Sequence, residues 1–177
     1  MLALRDALDD WSSGRTHAPA YDLVVERART AFAKLVSVDA DRVAIGSQVS
    51  VFAGLIAASL PDGAEVLTAA QDFTSVLFPF HVQAPRGVTV REVPLERIAD
   101  AVTAGTALVA VSAVQSSDGR LVDFDALTQA CAATGPRIMP ATPQALGWLP
   151  AGAHPSPTPL CRGSQWLPRP PGPPCIP

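Results

Sequence analysis

The 177-residue sequence predicts an α/β fold, a three-layer αβα sandwich, followed by a proline-rich, irregular C-terminal tail. Three observations predict it. Helix-spaced and strand-patterned segments alternate through the first 150 residues, several strand segments are apolar without interruption, and prolines crowd the end of the chain. Strands apolar on both faces belong in a sheet covered by helices on both sides. Only Pro19, Pro61, Pro79, Pro85 and Pro94 precede residue 136, so the other thirteen of the 18 prolines follow it. Proline removes a backbone donor and fixes φ, so that density predicts neither regular strands nor helices. The expected division is an α/β unit over 1–150 and a tail over 151–177.

The elements follow in order. Residues 21–36 form an amphipathic helix, with Leu23, Val24, Ala28, Ala31, Phe32 and Leu35 on one face. A short strand over 42–45 turns through Gly46, Ser47 and Gln48 into a helix reaching Leu60, with Val49, Phe52, Ile56 and Leu60 at helical spacing. Pro61, Asp62 and Gly63 stop it. A strand over 64–67, a helix over 74–82 and an alternating strand over 88–93 come next. A helix over 95–102 turns Leu95, Ile98, Ala99 and Val102 inward. The apolar run 107–114 is a buried strand, Asp118 and Gly119 mark a turn, and Asp123 caps a helix to about residue 133. Residues 137–139 begin another strand.

Composition narrows the function. Apolar residues make up 48% and charged residues 16%, a globular balance. The net charge of −3 is spread along the chain, without the basic stripe of a nucleic-acid binder. The start, with Asp6, Asp9 and Asp10 near Met1, is not a signal peptide, and no apolar stretch approaches membrane-spanning length. Cys131, Cys161 and Cys175 are neither a disulfide framework nor a zinc site, and His17, His81 and His154 are too scattered for a metal or a triad. No metal is expected, and the cytoplasm is the default compartment.

In α/β sheets ligands bind at the carboxyl ends of the strands. The turn AIGSQVSVFAGL places free amides, Ser47 and Gln48 at a helix N-terminus behind Gly46, which suits a phosphate. An ordinary strand-to-helix turn with a capping serine accounts for the same residues. A nucleotide-binding module of the G-x-G-x-x-G type is disfavoured, because the glycine spacing is absent.

Four segments, in order along residues 20–150, carry a resemblance. VAIGSQVS resembles a G-[AST]-T phosphate turn. LPDGAEVLTAAQDFTSVLFPF resembles a motif of an acidic residue, an aromatic ring and S-x-x-x-P. VAVSAVQSSDGRLVDFDAL resembles the loop after the next core strand, and QALGWLP the end of D-A-x-Q-A-x-G. Together they are similar to the pyridoxal-phosphate (PLP) enzymes of the class V aminotransferase and cysteine desulfurase family, of fold type I. The resemblance implies a partial large domain of such an enzyme.

The resemblance also implies roles. Gly46, Ser47 and Gln48 would hold the cofactor phosphate, Phe73 the ring face and Gln144 the phenolic oxygen. Ser116 stands on the substrate side, where relatives carry Asn. Phe73 often corresponds to His in desulfurases and can stack without acid–base work, which leans toward the transaminase or kynureninase-like branch. Two requirements are unmet. The carboxylate that keeps the pyridine nitrogen protonated would stand at Pro140 or Ala141. The lysine that tethers the cofactor as a Schiff base has Gln165 in its register, within CRGSQWL. The sequence has one lysine, Lys34, far upstream on the first amphipathic helix. Neither Cys131 nor Cys161 stands where a desulfurase thiol is expected.

The implied parent is a cytoplasmic homodimer acting on an amino acid by transamination, desulfuration or kynureninase-like cleavage. This chain is expected to be an inactive fragment, clipped at its start and either decayed or read out of frame beyond about residue 135. Translation of the other two frames there tests the last idea. The alternative is a non-catalytic remnant or weak phosphate-binding fragment whose exposed sheet edges favour aggregation.

Overall fold

The computed structural model describes residues 2–147 and 149, and the backbone of 161–162 and 174–176. The tail's remaining residues, including Gln165, lie outside the described residues.

A parallel sheet is the centre of the molecule. Its strands are β2 (Glu65–Ala69), β3 (Thr89–Val93), β4 (Thr106–Ser112) and β5 (Arg137–Ala141), in the order β3-β2-β4-β5. Two helices cover one face, α3 (Val49–Ala58) and α4 (Thr74–His81). They bring Phe52, Ala53, Ala57, Val76 and Phe80 against Val66, Leu108, Ala110 and Met139. The other face carries Leu67, Ala69, Val109 and Val111, packed against Leu127 and Cys131 of α5 (Phe124–Thr134) and against Leu95 and Ile98. The alternating strand residues therefore feed two separate cores, as the three-layer expectation requires. Asp123 caps α5 through a 3.0 Å bond from the Ala126 N–H, and Gly135 closes it at φ 97°.

Several expectations are corrected. The first strand is shorter, β1 (Ala44–Ile45), and lies outside the parallel sheet. It pairs antiparallel with β7 (Pro174–Ile176), which pairs antiparallel with β6 (Cys161–Arg162). A proline-dense segment thus does form strands. Pro174 begins β7, where a missing N–H costs least, and Pro140 sits in β5, an edge of the parallel sheet. The helix expected over 95–102 is a single 3-10 turn, Leu95–Arg97, followed by a looser turn that still buries Leu95 and Ile98.

The inward face expected of the first amphipathic helix is corrected in part: Phe32 is buried as expected, but Leu23, Val24 and Leu35 are exposed. In α2 (Ala20–Val36) the buried residues are Phe32 and Ala33, which join Val36, Val43 and Leu146. Leu23 is 74% exposed and Val24 58% exposed, because no described residue packs on that side. A further helix not foreseen in the sequence, α1 (Leu2–Ser12), carries Leu4, Leu8 and Trp11 at helical spacing, all exposed.

Candidate functional site

Ser112 ends β4, Ala141 ends β5, and the two residues face each other as Cα partners. Above these carboxyl ends the N-termini of both α3 and α4 open onto one cavity of ≈ 200 Å³. From α3 it is lined by Gln48, Val49 and Ser50, and from α4 by Phe73, Ser75 and Val76. Ser112, Ser116, Ala141, Pro143 and Gln144 complete the wall. Four of the residues singled out in the sequence, Gln48, Phe73, Ser116 and Gln144, thus meet at one place although they span nearly a hundred positions. Gly46 and Ser47 belong to the turn behind Gln48 and are not part of the wall.

Each helix start supplies donors. Gln48 is the N-cap of α3, extended at φ −150° and ψ 149°, and its side chain does not cap the helix. The first-turn N–H groups of Val49 and Ser50 therefore have no intrahelical partner. Phe73 is the N-cap of α4, again without a side-chain cap, and Thr74 and Ser75 follow it. Two helix N-termini with uncommitted amides present partial positive charge to the cavity. Pro79 lies inside α4 and cannot donate back to the Ser75 carbonyl, leaving that oxygen without its helical partner.

Gly46 is explained by packing rather than by its own dihedrals. A Cβ at this position would run into the ring of Phe52, one turn into α3. The glycine lets the aromatic ring lie against the backbone of the turn and so sets how α3 leaves it.

Beneath the cavity is a buried carboxylate, the acidic residue of the second motif, to which the sequence reading gave no role. Asp72 is 4% exposed. Its Oδ1 accepts from the Phe73 N–H at 2.6 Å and from the Ser112 hydroxyl at 2.5 Å. Its Oδ2 accepts from the Ser112 N–H at 2.7 Å and from the Gln115 amide at 3.4 Å. Gln71, just before it, adopts φ 64°, so the chain leaves β2 through a left-handed residue to aim Asp72 inward. The carboxylate ties the end of β2 to the end of β4 and holds Phe73 at the cavity rim, 52% exposed. An acid three residues past an apolar strand, and a serine interrupting the apolar run 107–114, were the available signals.

Every side chain on the cavity wall is uncharged. Lys34 is exposed on α2 and is not part of the wall. Of the two candidate positions for the missing acid, Ala141 is the one that lines the cavity. Among the described residues no group of three or more His, Cys, Asp or Glu could hold a metal ion, and no helix is long and apolar enough to cross a membrane.

The sheet and its covering helices have the fold found in part of several solved structures. Among solved structures the chain is similar to the cystine C-S lyase C-DES, in complex with its reaction product cysteine persulfide. That similarity has TM-score 0.81 and 18% identity, over 90% of this chain and 47% of that one. A C-DES variant with glycine covalently linked to the PLP cofactor gives TM-score 0.80 and 16% identity, over 94% and 49%. The cysteine desulfurase CsdA of Escherichia coli gives 0.78 and 18%, over 98% and 50%. The chain therefore spans about half the length of these enzymes. No family model matches the sequence, and no curated protein matches it.

Proposed function

We propose that this chain is a class V PLP-enzyme remnant that holds the cofactor without a covalent bond and does not turn over an amino acid. The observation that carries the reading is the single cavity in which Gln48, Phe73, Ser116 and Gln144 converge under two helix N-termini. The donor set fits the cofactor's phosphate, the Phe73 ring fits its flat face, and Gln144 fits its phenolic oxygen. When bound, PLP supplies an electron sink for carbanion chemistry. The chain's own residues bind and orient it: the α3 amides and Gln48 take the anion, and Phe73 limits the ring to one plane. Ser116 faces the cavity as a neutral hydroxyl on the substrate side.

What is missing is the amine. A glutamine at 165 is not nucleophilic, and Lys34 lies on a different element from every wall residue. Residues 1–150 are read as the cofactor-binding part and 151–177 as a proline-rich tail, either decayed or outside the ancestral frame. A cytoplasmic homodimeric parent acting on an amino acid, by transamination, desulfuration or kynureninase-like cleavage, completes the reading.

The test is to add PLP to the purified chain, follow its visible spectrum, reduce with borohydride and map the mass. Saturable binding without stoichiometric labelling is expected, with at most slow modification of Lys34 or the amino terminus. Absence of binding refutes the cofactor reading. Release of product from an amino acid by this chain alone refutes the loss of activity.

A further inference from the structure

We propose that Ser112, with Asp72 behind it, is the seat for a protonated ring nitrogen of a flat heteroaromatic ligand, standing in for the carboxylate absent at Ala141. The inference rests on the reading of the cavity as a cofactor site and deepens it.

The argument is a count of protons and lone pairs. Asp72 accepts from two backbone N–H groups and from the Gln115 amide, all of which can only donate in these contacts. It is therefore an acceptor, and the 2.5 Å contact to Ser112 Oγ uses the serine's single proton. Ser112 has nothing left to donate. What it offers the cavity is its lone pairs, on a residue that lines the wall while Asp72 does not. An unprotonated pyridine nitrogen would set lone pair against lone pair at this point. A protonated one completes a chain from ring N–H to Ser112 Oγ to Asp72, with the negative charge one hydrogen bond away. Polarised chains of this kind gain strength in a dry site.

Placement supports the assignment. Ser112 and Ala141 are neighbouring strand ends in register, so the hydroxyl stands beside the position where the acid is missing. The remaining polar groups on the wall differ in character. Gln48, Ser50 and Ser75 sit at helix starts that favour an anion, whereas Ser112, with its proton committed to Asp72, favours a cationic N–H. A ligand with an anionic group and a protonated ring nitrogen matches both. Ser112 is the binding residue, and Asp72 is a positioning residue that acts through it.

Binding of PLP and of its 1-deaza analogue, in which carbon replaces the ring nitrogen, tests this with the full chain and no turnover. Equilibrium dialysis reads the affinities, and the bound PLP spectrum followed against pH reads ring protonation. Wild type should prefer PLP by about tenfold, the worth of one charge-assisted hydrogen bond. It should also hold the ring protonated to higher pH than free PLP. S112A and D72N should lose both effects, while S112T, which keeps the hydroxyl, should retain them. If D72N does not fold, as judged by circular dichroism, the S112A and S112T pair decides. Equal affinity of wild type for both rings, or an undiminished preference in S112A, overturns the inference and leaves the cofactor reading standing. Binding of neither ring overturns both.

Discussion

Substituting Gly46 by alanine tests how the turn positions α3. The added Cβ would overlap the Phe52 ring, and Phe52 is 7% exposed within the core beneath α3. The ring has little room to retreat, so the strain falls on its rotamer or on the first turn of the helix. Overpacking of this kind costs about 1–3 kcal/mol. For a chain of this size that lowers Tm by roughly 2–4 °C per kcal/mol. Phe52→Leu should be destabilising by itself, since it removes buried ring area, but it also vacates the space the new methyl needs. In the double variant Gly46→Ala with Phe52→Leu, the alanine should therefore cost far less than it does alone. Urea denaturation of the four proteins gives the coupling energy, expected at about 1 kcal/mol or more. Additive costs, with alanine equally destabilising in both backgrounds, would show that the glycine is required for some reason other than the ring, and the packing account would fail.

Asp72→Ala should be more damaging than a surface change, by more than about 2 kcal/mol, because the buried N–H and hydroxyl of Ser112 lose their acceptor; chemical denaturation measures it. Asp123→Ala should cost about 1 kcal/mol through loss of the α5 cap, read by the same method, with Asp123→Asn close to neutral. Glu65, bridged to Arg91 and accepting from Thr106, is held below the usual carboxylate range, chiefly by the Arg91 hydrogen bond. Its folded pKa is depressed, so its contribution is present above the unfolded value and lost as pH falls through the folded one. Stability of Glu65→Gln relative to wild type, followed from pH 6 downward, should converge on the wild-type value in acid. Burial pushes the Cys131 thiol up, so alkylation of the native protein followed by peptide mapping should leave it unmodified until denaturant is added.

The parallel sheet was legible because its strands are short, apolar and separated by strong punctuation. Residues 107–114 could hardly be anything but a strand covered on both faces, and Asp123 and Gly135 mark the limits of α5 in the sequence itself. The errors have physical causes too. The face of α2 was read from apolar spacing alone, but spacing says which residues could be buried, not what is present to bury them. Leu23 and Val24 have the pattern and lack the neighbour. Proline counting overstated its case because a proline is harmful only where its missing N–H would have paired. The start of β7 and the outer strand β5 escape that condition. Within the site, residues matching motifs were found while the buried pair Asp72 and Ser112 was passed over, since a carboxylate acting on a residue forty positions away leaves no local pattern.

On the function proposed above, the uncharged wall sets how tightly an anionic cofactor is held. A phosphate carries a charge of about −2, and this cavity meets it with helix-terminal amides and neutral side chains alone. Such donors orient an anion well and hold it less tightly than a paired cation would. A covalent tether makes weak anion binding tolerable, because a ligand bound at a second point cannot diffuse away. On the function proposed above, the amides retain the ligand without a covalent tether, and its affinity is what the two helix N-termini, the Phe73 face and the Ser112 end supply together. The exchange should therefore be fast and the affinity sensitive to salt.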